Sequence, residues 1–207
     1  MRGLLAVSSF IDWINEKIGF VTNFLVLLAC VVSAGNAMSR YAFNLSSNAW
    51  LEVQWYMFAV IVMFGAAYTL KRNEHVRVEI FYLMLSERGQ LWLDLICTIV
   101  FMVPICLLLA YLSWPFFEMS LPSWVQTGQF HQFHILFSRS WPFVAISVPD
   151  WGEWSGNAGG LLRWPIKLVL PAGFVLLALQ GVSEIIKRIA ALAGLATVDA
   201  KYERPVQ

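Results

Sequence analysis

The sequence predicts an all-α integral membrane protein with four transmembrane helices, amphipathic interfacial helices and both termini in the cytoplasm. Three observations lead there. Hydrophobic residues fill 59% of the 207 positions and charged residues only 13%, a balance foreign to soluble domains of this size. Four predominantly apolar runs are each long enough to cover a hydrocarbon core of ~30 Å at about 1.5 Å of rise per helical residue. Basic residues gather in one short polar hinge between the second and third runs.

Residues 1–17 read as an N-terminal interfacial helix and not as a cleaved signal, because Asp12, Asn15, Glu16 and Lys17 interrupt it. At helical spacing Val7, Phe10, Ile11, Ile14 and Ile18 share one face and Ser8, Asp12, Asn15 and Glu16 the other, the pattern of a helix lying in the headgroup plane with Trp13 as anchor. The first span is Ile18 to Ala37, closed by Arg40 and Tyr41. Thr22, Asn23, Ser33 and Asn36 make it too polar to face lipid all round, so one stripe packs on protein. The short turn through Asn44 and Asn48 makes the second span, Val53 to Leu70, an antiparallel neighbour. Arg40 and Glu52 then emerge at one membrane surface, either as an ion pair or as two separately solvated interfacial charges. Trp50, Trp55 and Tyr56 belong to an aromatic belt.

Spans one to three occupy residues 18–112, with the hinge at 71–90. The hinge core is Lys71-Arg72-Asn73-Glu74-His75-Val76-Arg77-Val78-Glu79, and with Arg88 it is the most basic connection in the chain, which places it in the cytoplasm. Four spans then bring both termini to that side, with ten of the fourteen Lys and Arg residues inside and Arg40, Arg139, Arg163 and Lys167 outside or near it. The third span, Leu95 to Leu112, holds Pro104, which is expected to kink it.

Residues 113–163 form a long loop rich in Trp, Phe, Pro and Gly, too broken to span, with a short re-entrant or interfacial helix expected near 130–137. The fourth span, residues 164–186, opens with Trp164-Pro165-Ile166-Lys167, Lys167 snorkelling outward, and Pro171 and Gly173 are expected to bend it. Residues 187–207 form a cytoplasmic tail.

These spans restrict the chemistry. A charge near the bilayer centre costs about 2.5–3.5 kcal/mol on insertion scales and is reserved mainly for transport or proton relay. Asp94, Glu118, Glu184 and Lys167 all fall near span ends instead. His131 and His134 stand at i, i+3 without a third ligand nearby and read as interfacial. Cys30, Cys97 and Cys106 lie in apolar runs with no paired spacing. A net charge of +1 excludes nucleic acid as a partner, and no catalytic motif, metal site or cofactor site is read. Plain helices of this kind describe a scaffold subunit whose partner carries the chemistry. The rival class is the membrane anchor of a respiratory or redox complex, which predicts haem or quinone sites, whereas no histidine lies inside a span.

Particular residues also carry a resemblance. The Arg40-Tyr41 ending, Trp50-x-Glu52, Gly65-Ala66-Ala67-Tyr68, Asn73 to Glu79, and Gly159-Gly160-Leu161-Leu162-Arg163-Trp164-Pro165-Ile166-Lys167 resemble the small membrane subunit (Q subunit, DctQ-like) of tripartite ATP-independent periplasmic (TRAP) transporters. The hinge is the most specific part, with Glu79 where the family usually has Asp. The resemblance implies a multi-pass protein of the bacterial inner membrane that is not an enzyme. Its implied partners are a large membrane subunit (M subunit) working by an elevator motion and a periplasmic binding protein that captures an organic acid. Sodium is expected on the large subunit, with no cofactor on this chain. Within that reading Arg40, Tyr41, Trp50, Glu52, Arg72, Glu74, His75, Arg77, Glu79, Trp164 and Lys167 are candidate contacts to the other subunits or to membrane phospholipid.

Overall fold

The computed structural model describes residues 2–44, 48–73, 85–122, 125, 132–134, 147–149, 151–157 and 160–194. Four helical bodies dominate: α1 (Arg2–Phe43), α2 (Asn48–Lys71), a third made of α3 (Glu87–Cys97), a π-helical turn (Thr98–Met102) and α4 (Val103–Glu118), and α5 (Trp164–Leu192). Each is long and apolar enough to cross a membrane, so the predicted all-α, four-span architecture is what forms. The only sheet among the described residues is a ribbon pairing β1 (Gln132–His134) with antiparallel β2 (Ser147–Pro149). Strand pairing at 132–134 replaces the helix expected near 130–137.

Local chemistry sets the helix ends. Asn44 and Asn73 adopt positive φ, 53° and 60°, the left-handed conformation that Asn tolerates and that stops α1 and α2. Ser86 caps α3 by accepting from the Gly89 N–H. Gly194 closes α5 at φ 70°, with its N–H on the Ala191 carbonyl.

Several features differ from the sequence reading, among them the third helical body, which runs on to Glu118, past the expected start of the loop at 113. Residues 1–17 were expected as a separate interfacial helix, but α1 is a single helix of 42 residues, roughly 63 Å long. The coil opens into a π turn just before Pro104. Proline lacks an N–H and clashes with the carbonyl four residues earlier, so one extra residue enters the coil and the Val103 N–H reaches back five residues to Thr98. The fourth helix continues unbroken through Pro171 to Leu192, past the expected end at 186.

Helix α5 is the centre of the bundle, packed against α1, α2, α3 and α4. Glycines permit the closest approaches. A Cβ on Gly19 of α1 would stand 2.3 Å from the Tyr68 ring of α2, and one on Gly173 of α5 would stand 2.7 Å from Met63. Close backbone approach at small residues is how membrane helices associate without a hydrophobic driving force between them. Gly173 therefore works as a contact with α2.

Candidate functional site

Polar side chains tie the helices together at the two ends of the bundle. At the Lys71 end, Ser8, Asp12 and Asn15 of α1 face Gln180, Ser183, Glu184, Lys187 and Arg188 of α5. The Asn15 amide donates to Gln180 Oε1 at 2.7 Å, and Gln180 Nε2 donates to Asp12 Oδ1 and to Glu184 Oε1, both at 3.1 Å. The Ser8 and Ser183 hydroxyls meet at 2.7 Å. Lys187 bridges Asp12 at 2.7 Å and Glu184 at 2.9 Å, while Arg188 holds Glu184 at 3.2 Å and Asp94 of α3 at 3.4 Å. Gln180, Asn15 and Ser183 are wholly buried.

This network corrects the reading of residues 1–17. The polar side chains Ser8, Asp12 and Asn15 meet α5, and the large apolar side chains Leu4, Val7, Phe10 and Trp13 are left exposed. In a membrane a polar stripe gains most by meeting the polar stripe of another helix, since lipid chains offer it no hydrogen bond. Alongside, Glu16 pairs with Lys71 and with Arg72 at 3.0 Å, locking α1 to the end of α2. Arg72 also lies over the Tyr68 ring, 5.3 Å from its centroid.

At the opposite end the chain folds a small clasp. Residues 153–157 and 160–163 lie against each other, with Trp154 bridging Leu162, the Ser155 N–H on the Leu161 carbonyl at 2.9 Å and the Arg163 N–H on the Glu153 carbonyl at 2.8 Å. Gly152 makes the entry possible. Its φ is 96°, and a Cβ there would stand 2.6 Å from the Ser120 carbonyl.

The clasp aims three donors at the buried carboxylate of Glu52: the Ser155 hydroxyl, the Asn157 amide at 2.9 Å and the Leu161 N–H at 2.7 Å. One turn along α2, the Tyr56 hydroxyl donates to the Leu162 carbonyl at 3.0 Å. On the other side Glu153 pairs with Lys167 of α5 and with Arg163 at 3.4 Å, and the Lys167 ammonium sits 4.3 Å from the centroid of the Phe116 ring of α4. The hydrogen bond from Lys167, more than any other influence, holds the Glu153 carboxyl below its ordinary range.

Among the predicted contacts, Glu52 and Lys167 come together around this clasp and Trp164 opens α5 directly after it, but Arg40 does not join them. The Arg40–Glu52 ion pair is absent among the described residues. Glu52 is turned toward residues 155–161, and Arg40 lies exposed in the last turn of α1 beside Tyr41, itself 87% exposed. Backbone and amide donors fixed on a short hairpin fully occupy the carboxylate, whereas a long Arg side chain would lose more freedom to reach it. Trp50 is half exposed and Arg72 belongs to the Glu16 cluster. Glu74, His75, Arg77 and Glu79 lie outside the described residues, as do His131 and most of the loop around it.

Sequence reasoning missed Glu153, Ser155 and Asn157, and it missed Gln180 with Ser183. For the latter a signal existed, since Gln180, Ser183, Glu184 and Lys187 follow helical spacing and form a stripe like that of Ser8, Asp12 and Asn15. No group of three or more potential metal ligands is found among the described residues. What the arrangement does is mechanical: direct polar cross-links join α1 to α2, α1 to α5 and α3 to α5, while α2 and α5 are tied through the clasp that both of them bond.

No curated protein and no solved structure gives a match to the chain. The family model described as "Tripartite ATP-independent periplasmic transporters, DctQ component" matches residues 29–149, more than half of the sequence. That region runs from the middle of α1 through α2 and the third helical body into the long loop. Taken with the four spanning helices, it makes this chain a multi-pass membrane protein belonging to the DctQ family, the small membrane subunit of TRAP transporters.

Proposed function

We propose that this chain is the fixed scaffold of a sodium-driven importer of an organic acid in the bacterial inner membrane. It holds the large subunit, which carries the substrate and sodium sites and moves as an elevator, and its Glu52 end faces the periplasmic binding protein. The Lys71 end, with both chain termini, lies in the cytoplasm, in keeping with the excess of Lys and Arg there.

The observation that carries this reading is the double clasp. Polar cross-links join α1 to α2, α1 to α5 and α3 to α5 at one end, and α2 and α5 to the 153–163 hairpin at the other. A moving element gains alternating access only against a neighbour that keeps its shape, and helices pinned at both ends resist shear. Exposed Trp13, Trp50, Trp55 and Trp92 add interfacial anchorage. The test is uptake in proteoliposomes holding the large subunit and binding protein, with and without this chain. Sodium-gradient-driven uptake that falls at least tenfold without it is the expected result, and undiminished uptake would overturn the reading.

A further inference from the structure

Along the outer side of the α1–α2 pair runs a groove of about 350 Å³, whose lining includes Gly19, Asn23, Val62, Gly65, Ala66 and Thr69. Glycine and alanine keep its floor low. Asn23 lies seven residues from Glu16 of the charged layer, about 10 Å along the helix, and so sits inside the apolar zone. Its side chain is exposed and makes no hydrogen bond among the described residues. Thr69, also exposed, turns its hydroxyl back to the Ala66 carbonyl at 3.0 Å and keeps an acceptor lone pair free to face the groove.

The outward face of α4 is the opposite in kind. Ile105, Leu107, Leu108 and Leu112 are 50%, 53%, 55% and 61% exposed, an aliphatic surface that acyl chains satisfy fully. Acyl chains cannot satisfy the Asn23 amide, which needs a donor or acceptor at its own depth in the bilayer. Water is excluded there, so a protein helix must supply it. A low floor of small residues with one unpaired amide beside it is the surface on which a third helix packs closely and bonds.

We propose that this groove receives one transmembrane helix of the large subunit, placing a hydroxyl or amide side chain level with Asn23 and compact residues over Gly65 and Ala66. The α4 face then meets lipid. This inference rests on reading the chain as the partner of a large subunit and specifies which of its surfaces makes the contact.

The test uses the complete complex, with a photoreactive benzoylphenylalanine placed singly at Val62 in the groove or at Leu108 on α4. Irradiation is expected to give adducts with the large subunit from position 62 at least tenfold more than from position 108. Asn23→Leu and Ala66→Phe should each cut both that adduct and the amount of large subunit retained in detergent several-fold, with the helicity of this chain unchanged because neither alters a bundle contact described above. Adducts from 108 and not 62, equal adducts from both, adducts from 62 with a second copy of this chain, or none from 62 while the unsubstituted chain still retains the large subunit would each overturn the assignment. If the unsubstituted chain retains no large subunit at all, the scaffold reading itself fails, and that result is distinguishable from the others.

Discussion

The side-chain amide of Asn15 donates to Gln180 Oε1 at 2.7 Å, although 165 residues separate the two. This bond lies at the centre of the Lys71-end network, because Gln180 then passes its own two N–H donors to Asp12 and Glu184. Gln180→Met keeps the volume but removes the Gln180 acceptor from the buried Asn15 amide, which then keeps only the Ile11 carbonyl, and takes one donor from each of Asp12 and Glu184, which stay paired with Lys187. Each buried polar group left unsatisfied costs about 1–3 kcal/mol. A loss of that order is expected in the thermal unfolding of the purified chain, whereas an unchanged melting temperature would remove the network from the account.

The contact between Gly19 and Tyr68 admits no side chain at position 19. Gly19→Ala would place a Cβ 2.3 Å from the base of the ring, which must either push α2 away or rotate and abandon its stacking with Arg72. Overpacking of this kind costs about 1–3 kcal/mol. Combining Gly19→Ala with Tyr68→Ala should recover most of the loss, so a double-mutant cycle showing no coupling would contradict the close approach.

Glu52 organises the hairpin at the other end. Glu52→Gln replaces one acceptor oxygen by an N–H₂ facing groups that are themselves donors, and the hairpin should detach from α2. Faster limited proteolysis between 151 and 163 is expected, with cleavage elsewhere unaffected. Arg40→Ala should leave the pattern as it was, since Arg40 is not part of this site.

The Glu153 contact predicts a response to acid. Its carboxyl is depressed below the ordinary 4.5 in the folded chain, so the ionised form is favoured by folding. The stabilisation is therefore complete above pH 4.5 and disappears as pH falls through the lower folded value. Hairpin cleavage should accelerate only in that acid window, and Glu153→Gln should cleave faster at neutral pH and lose this part of the acid dependence.

The four spans were legible because charge-free runs and their flanking charges are local features. Pairings across the bundle were less so. The 3.6-residue pattern of Ser8, Asp12 and Asn15 reveals a polar face but not whether water, headgroups or another helix meets it, and its partner stripe begins 165 residues later. Glu52 and Arg40 look like partners because a short turn joins their helices, yet a hairpin a hundred residues away supplies better donors. Pro104 was rightly read as a disturbance, but residue identity alone does not say whether the coil answers it with a kink or with the π turn that forms at Thr98–Met102. Glu153 carried no signal, being one acidic residue in an irregular loop.

The claim that this subunit is a rigid scaffold is tested most directly by pulsed spin-label distances in the reconstituted complex. One pair of labels would join α2 to α5 within the chain, and a second would join α5 to the part of the large subunit that is proposed to move, each measured with and without sodium and substrate. The account predicts a single, unchanged distance for the first pair while the second shifts between states. A first pair that changes with sodium or substrate would contradict it.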